Sequence, residues 1–204
     1  MFDTREKKER SLGTKLFLKA HRCNSPKCVH VRRATRPGIH GKDFKRALSE
    51  YGQQLKEKQK IRFTYGVRES QMEKIFEKAS KNPGATGEMM LSILERRLDN
   101  TVYRLGFADS RSVGRQLVSH GHIIVNSRRV TAPSYQVKVG DSITIRPQSK
   151  EHPLLQNLSE KLAKYEPPVW LSLDSAKLEG KITANPKDLN DTFDVNQVVD
   201  YYSK

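Results

Sequence analysis

Residues 110–130, SRSVGRQLVSHGHIIVNSRRV, change their hydrophobic period halfway along. Up to Gly121 the apolar positions Val113 and Leu117 stand four apart, the spacing of one helix face, and Asp109 or Ser110 supplies an N-cap. From Ile123 the pattern becomes that of a strand, with IIVN, RRV, SYQVKV and SITI separated by turn residues at 126–127, 132–134 and 140–141. Tyr135, Val137 and Val139 alternate, as do Ile143 and Ile145, so each set is expected to line one face of a small curled sheet. A chain that switches period in this way has to pack a short helix directly on short strands. That is an α+β unit.

Upstream, Leu91, Leu94, Leu98, Val102 and Leu105 form a continuous stripe, which predicts one helix over about 88–105 closed by Gly106. Residues 94–150 therefore read as two helices joined by a tight turn and packed on a mainly antiparallel sheet. Arg97, Arg104, Arg111, Arg115, Arg128 and Arg129 are expected on one side of it, with His120 and Asn126 among them. A guanidinium is a planar fork of donors that matches phosphate oxygens in pairs and also stacks on bases. Rigid helices that fix several such forks suit an RNA backbone of defined shape, whose deep major groove side chains cannot read.

Charge supports that reading. The formal net charge is +15 over 204 residues, and it is uneven: residues 1–69 hold 19 Lys/Arg against 7 Asp/Glu, residues 70–150 hold 13 against 7, and residues 151–204 hold 6 against 9. An excess this large calls for a polyanion, either nucleic acid or an anionic membrane. No apolar run approaches the roughly 20 residues of a membrane span. MFDTREKKER has no apolar core of a secretory signal, and its acidic residues argue against a transit peptide. Two cysteines build no disulfide framework, which points to the cytoplasm.

Residues 1–43 are basic, rich in turn formers and poor in periodicity, as in an extended arm that orders on its partner. Residues 49–65 predict a helix capped by Ser49, with Tyr51, Leu55, Ile61 and Tyr65 as its buried stripe, and Gly66 ends it. A second helix over about 69–81 places Met72, Ile75, Phe76 and Ala79 on one face. NPGATG, residues 82–87, is a loop.

LERRLDNTVYRLGFADSRSVGRQLVSHGHIIVNSRRVTAPSYQVKVGDSI resembles the RNA-binding module named after ribosomal protein four of the small subunit. RPGIHG (36–41), LSEYGQQLKEKQKIRFTYGV (48–67), WLSLDSAKLEGK (170–181) and VNQVVDYYSK (195–204) resemble the bacterial-type members of the same family, in the same order. The resemblance implies a basic arm over 1–43, and a helical domain over 44–92 completed by 165–204 through Trp170, Leu171, Leu173, Val198 and Tyr201. It places the RNA-binding module, 93–160, between them. It implies a primary rRNA-binding protein that nucleates assembly of the small-subunit body and lies where messenger RNA enters, beside ribosomal protein five, influencing decoding accuracy. Its place is then a ribosome, cytoplasmic or organellar, and some members repress their own messenger. By position, the RNA-binding residues it implies are Arg32, Arg33, Arg36, His40, Lys56, Lys58, Arg62, Arg97, Arg104, Arg111, Arg115, Gln116, His120, Asn126 and Arg128.

The chain departs from the family pattern at three places. The hairpin turn is Asn126-Ser127 in place of Asn-Gly, and Ile39 stands where the arm motif carries a glutamine. The third departure concerns zinc, which some members hold with four cysteines. RCNSPKC keeps Cys23 and Cys28, but Glu6 and Glu9 fall where the first pair belongs, and carboxylates are poor structural zinc ligands. Two readings follow: a decayed site with free thiols and no cofactor, or a zinc ion completed by His21 and His30.

Other functions fit less well. Enzymes that append a similar module need a further catalytic domain, and the chain has neither the length nor a Gly-rich phosphate loop, G-x-S-x-G or H-E-x-x-H. Asp99, the obvious acid, is expected to pair with a neighbouring arginine. The alternative is a freestanding regulator that binds RNA or DNA, using its two helices as a helix-turn-helix.

Overall fold

The structure, a computed structural model, describes residues 5–44, 46–82, 84–149, 152–156, 158–187 and 193–203, with the side chains of Ala20 and His21 left aside. In chain order the helices of the first half are α1 (Arg5–Leu12), α2 (Ala20–Cys23), α3 (Val29–Arg32), α4 (Glu50–Tyr65), α5 (Glu69–Ser80) and α6 (Thr86–Glu95). Next come α7 (Leu98–Arg104), α8 (Arg111–Ser119), β1 (Ile123–Val125), β2 (Arg128–Arg129) and β3 (Ser142–Ile145). Last are α9 (Leu158–Leu162), β4 (Leu171–Asp174), β5 (Glu179–Ile182) and α10 (Val195–Ser203). The chain divides into two compact units, residues 1–89 with 190–204 and residues 90–189. No helix among the described residues is long and apolar enough to cross a membrane.

In the first unit α4 starts where expected. The Ser49 side chain accepts from the Gly52 amide at 3.2 Å, and Gly66 closes the helix in the left-handed region. Its buried face differs from the expected stripe: Ile61 and Tyr65 are buried, but Tyr51 is exposed and Leu55 half-buried, and Gln54 and Lys58 take their places. The reason is the C-terminal helix α10, which packs on α4 and offers polar partners. Tyr201 lies 5.7 Å from the Tyr51 ring and receives the Lys58 ammonium over its face at 4.2 Å, while Val198 fills the apolar seam. Phe76 of α5 stacks on Tyr202 at 5.0 Å. The arm residues form the short helices α1 to α3 around Glu9, which is fully buried.

The second unit is built on one antiparallel sheet in the order β2-β1-β3-β5-β4. Its core joins Leu98, Val102, Leu105 and Phe107 from α7 and its end, Leu117 and Val118 from α8, and Ile123, Val125, Ile143 and Ile145 from the strands. Burying side chains of this kind stabilises the unit by about 1.5–3 kcal/mol each. Trp170, Leu171 and Ile182 complete the same core. The C-terminal segment is thus divided: residues 171–182 add two strands to the sheet, with Trp170, Leu171 and Leu173 packed there, whereas Val198 and Tyr201 lie on α10 of the other unit.

The helix expected over 88–105 is two helices. At Arg97 the backbone turns extended, ψ 136°, and pairs with Gln136; the Val137 amide then reaches the Arg96 carbonyl at 2.9 Å and the Leu98 amide that of Tyr135 at 2.8 Å. These bonds to the 132–139 segment replace one turn of helix. That segment forms a single bridge rather than a strand, and only Val137 of its expected face is buried; Tyr135 and Val139 are exposed. At Gly114 α8 crosses α7 so closely that a β-carbon would stand 2.6 Å from the Asp99 carbonyl oxygen. Only glycine permits that approach, and it fixes the helix pair.

Candidate nucleic-acid interface

The helix pair is organised around one carboxylate. Glu95 belongs to the apolar stripe by spacing, four residues after Leu91 and three before Leu98, and is fully buried. It accepts from Asn100 Nδ2 at 2.8 Å and from Arg104 at 2.8 and 3.0 Å, with Arg111 Nη2 3.9 Å away. Arg111 donates through Nε to Asn100 Oδ1 at 2.7 Å and lies 4.6 Å over the Tyr103 ring. Two guanidinium groups from α7 and α8 are therefore held in fixed positions by an interior anion, part of each remaining open to solvent. Such a carboxylate escapes a reading based on polar surfaces. Its one signal is a charged residue in register with the leucines.

Arg97 does not join this surface. It is 3% exposed, and its fork closes on Asp99 at 2.8 and 3.1 Å, the pairing expected for Asp99. Asn126 is exposed but occupied: its Nδ2 donates to Asp141 at 2.7 Å and its Oδ1 accepts from the Ser142 amide at 2.9 Å, so its side chain holds the hairpin. Asn126 and Ser127 have φ of 47° and 66°, a two-residue turn with both centres left-handed. Gln116, His120, Arg128 and Arg129 are exposed and Arg115 is half-buried. Gln116 and His120 share a side of α8 and its end by spacing, and Arg115 stands on the adjoining flank.

In the first unit, Lys58 is 4% exposed and closes on Glu69 at 2.6 Å, where Arg62 also donates at 2.7 Å and the Tyr202 hydroxyl at 2.9 Å. Burial alone would pull the Lys58 ammonium down, but the hydrogen bonds to Glu69 and Tyr201 outweigh it and leave its pKa raised. Burial likewise pushes Glu69 up, and the donors Lys58, Arg62 and Tyr202 reverse this to a lowered carboxylate. Lys58 is thus a structural cation. Lys56 is half-buried on the same helix.

The arm forms an open cavity of about 370 Å³ lined by eight Lys/Arg, among them Arg5, Arg10, Arg22, Arg32 and Arg33, with Glu6 as the one acid. Arg10 donates to the carbonyls of Thr35 and Arg36 at 2.9 and 3.1 Å and so fixes the loop that carries Arg36. His40 is exposed, with Nδ1 2.7 Å from Asp43.

The donor set in the arm does not fit zinc. Glu9 accepts the amides of Leu16 and Leu18, both at 3.1 Å, and Glu6 pairs with Arg22 at 2.8 Å. Cys23 and Cys28 are buried free thiols, and burial, with the negative charge of Glu9, raises the Cys23 pKa. Among the described residues no group of three or more His, Cys, Asp or Glu is placed to hold a metal, and the His21 side chain lies outside them. The carboxylate of Glu9 gathers backbone amides where the resemblance places a cysteine.

A helix pair with inward-held arginines on a small antiparallel sheet defines a class of nucleic-acid-binding module, and residues 96–143 match the S4 domain family. Residues 2–95 match the ribosomal protein S4/S9 N-terminal domain. The small ribosomal subunit protein uS4 of Pelotomaculum thermopropionicum is 52% identical over 174 residues, 85% of this chain and 83% of its own length. The uS4 proteins of Solidesulfovibrio magneticus and Acetivibrio thermocellus are 47% and 49% identical over 94% of this chain and 93% of theirs. The chain belongs to the ribosomal protein S4 family.

Proposed function

We propose that the chain is a primary rRNA-binding constituent of the small ribosomal subunit. It nucleates assembly of the subunit body, beside ribosomal protein five and near the messenger path, where it contributes to decoding accuracy. The observation that carries this reading is the helix pair whose Arg104 and Arg111 are fixed by Glu95. Preformed forks bind a folded backbone without an ordering cost. The names borne by relatives over nearly the whole chain favour a ribosomal place over a freestanding regulator.

The RNA contacts proposed are Arg104, Arg111, Arg115, Gln116, His120 and Arg128 in the sheet unit. In the first unit they are Arg32, Arg33, Arg36, His40, Lys56 and Arg62. Arg97, Lys58 and Asn126 support the surface from within, since their polar atoms are satisfied inside the protein. The test is binding of the whole chain to a transcript of the 5′ region of small-subunit rRNA against an arbitrary duplex at moderate salt. A clear preference for the transcript is expected, and equal affinity for the two overturns the reading.

A further inference from the structure

Three histidines converge where α8 ends and β3 leaves the sheet. His120 caps α8, His122 leads into β1, and His152 opens the turn that follows β3. The rings of His122 and His152 are 4.7 Å apart and those of His120 and His122 6.0 Å. Each inner ring has one nitrogen engaged: His122 Nδ1 lies 2.9 Å from Ser149 Oγ, and His152 Nδ1 accepts from the Leu154 amide at 3.2 Å. That leaves Nε2 of His152 as its N–H donor.

Two arginines join them. The Arg129 guanidinium lies on Gly121, where a β-carbon would meet its atoms at 2.1–2.5 Å, and its Nη2 donates to the His120 carbonyl at 3.3 Å. Arg146 adjoins the cluster through its backbone, whose amide donates to the His122 carbonyl at 2.8 Å, and its charge acts on the His122 ring. Among the described residues none of these five side chains has a carboxylate partner. Five cationic or protonatable groups gathered with no carboxylate partner among the described residues repel one another, and a bound anion would relieve that.

We propose that His120, His122, His152, Arg129 and Arg146 form a binding site for one backbone phosphate of RNA, taken up together with a proton. The proposal rests on the rRNA-binding reading above and adds to it a subsite that extends from the end of α8 to the turn after β3. Imidazolium and guanidinium both donate charge-assisted hydrogen bonds to phosphate oxygens. Burial, joined by the charges of His152, His120, Arg129 and Arg146, holds His122 below the ordinary histidine range in the protein alone. A phosphate reverses the sign of that field, so binding raises the imidazole pKa and tightens as pH falls.

The experiment uses the whole chain and the double variant His122→Asn with His152→Asn. Asparagine keeps an acceptor near the Nδ1 position, so the Ser149 and Leu154 contacts survive while the titration is removed. Two readouts are taken: histidine NMR titrations with and without inorganic phosphate, and affinity for the 5′-region transcript at about pH 6 and pH 8 at fixed ionic strength. Phosphate is expected to raise the midpoints of His122 and His152, and the native chain to bind RNA roughly three- to tenfold tighter at the lower pH, for uptake of about one proton. The variant is expected to lose most of that pH dependence and to bind the transcript more weakly than the native chain at the lower pH. Unmoved imidazoles, or an unchanged pH dependence in the variant, overturn the proposal. Loss of transcript preference in the native chain fails the broader reading instead, and shifted midpoints with phosphate alone would then make this a site for free phosphate, not RNA.

Discussion

The fully buried carboxylate of Glu95 receives both Nη2 and Nε of Arg104, at 2.8 and 3.0 Å, and so ties the end of α6 to the end of α7. Replacing it by glutamine leaves the hydrogen-bonding shape but removes the anion beneath Arg104 and Arg111. Breaking a buried pair from one side costs about 3–5 kcal/mol, and partial solvation of the arginines places Glu95→Gln near the lower end. Trp170, the single tryptophan, lies in the core of the same unit, so urea unfolding followed by its fluorescence reads the loss directly.

The α8 surface is tested apart from that support. Arg115 is half-buried on α8 and Arg128 is exposed on β2. Each lost phosphate contact lowers the salt slope of log affinity by about 0.7–0.9. The double change to alanine is expected to lower it by about 1.5, measured under conditions where urea unfolding shows both proteins fully folded. An unchanged slope would place the RNA on another face.

Ser127 has φ of 66°, a region that costs a non-glycine residue and suits glycine. Ser127→Gly is expected to stabilise the sheet unit by about 0.5–1 kcal/mol, read from the same tryptophan signal. A lower melting temperature would contradict the left-handed geometry.

The contacts at Glu69 set a pH window. Its folded pKa lies below the ordinary carboxylate value of 4.5, so its contribution is present above that value and is lost as pH falls through the folded pKa. Lys58, raised above 10.5, contributes below that value and loses the contribution as pH rises through its folded pKa. Tyr202→Phe removes one donor to Glu69 and is expected to destabilise the first unit by about 1 kcal/mol, with acid unfolding beginning at higher pH, as measured by circular dichroism.

Glu9 stands in for metal as the organiser of the arm. Exposure to a strong chelator is expected to leave the melting temperature unchanged, whereas Glu9→Ala leaves the Leu16 and Leu18 amides unpaired and costs about 1–3 kcal/mol. Faster labelling of Cys23 and Cys28 by a thiol reagent in the variant checks the local loss.

Helix starts and the change of period were legible because they depend on near neighbours: Ser49 and Ser110 cap the helices that follow them, and Gly121 ends α8. What depends on distant partners was not. The break at Arg97 comes from backbone bonds to residues 135–137, and Lys58 is buried because α10 returns with Tyr201 and Tyr202. Trp170 and Leu171 have the composition of any apolar tail, and nothing local assigns them to β3's neighbours. Counting arginines by face overstated the open surface, because the two carboxylates among them, Glu95 and Asp99, are inside.

The strand order carries a consequence for biosynthesis. β3 sits at the middle of the sheet with β5 on its outer side, and β5 ends at Ile182. While the first 150 or so residues have emerged from a translating ribosome, that side of β3 has no hydrogen-bonding partner, and an open edge of this kind invites pairing with other chains. The sheet can close on that side only once residues 171–182 have emerged as well, so the hazard persists until then.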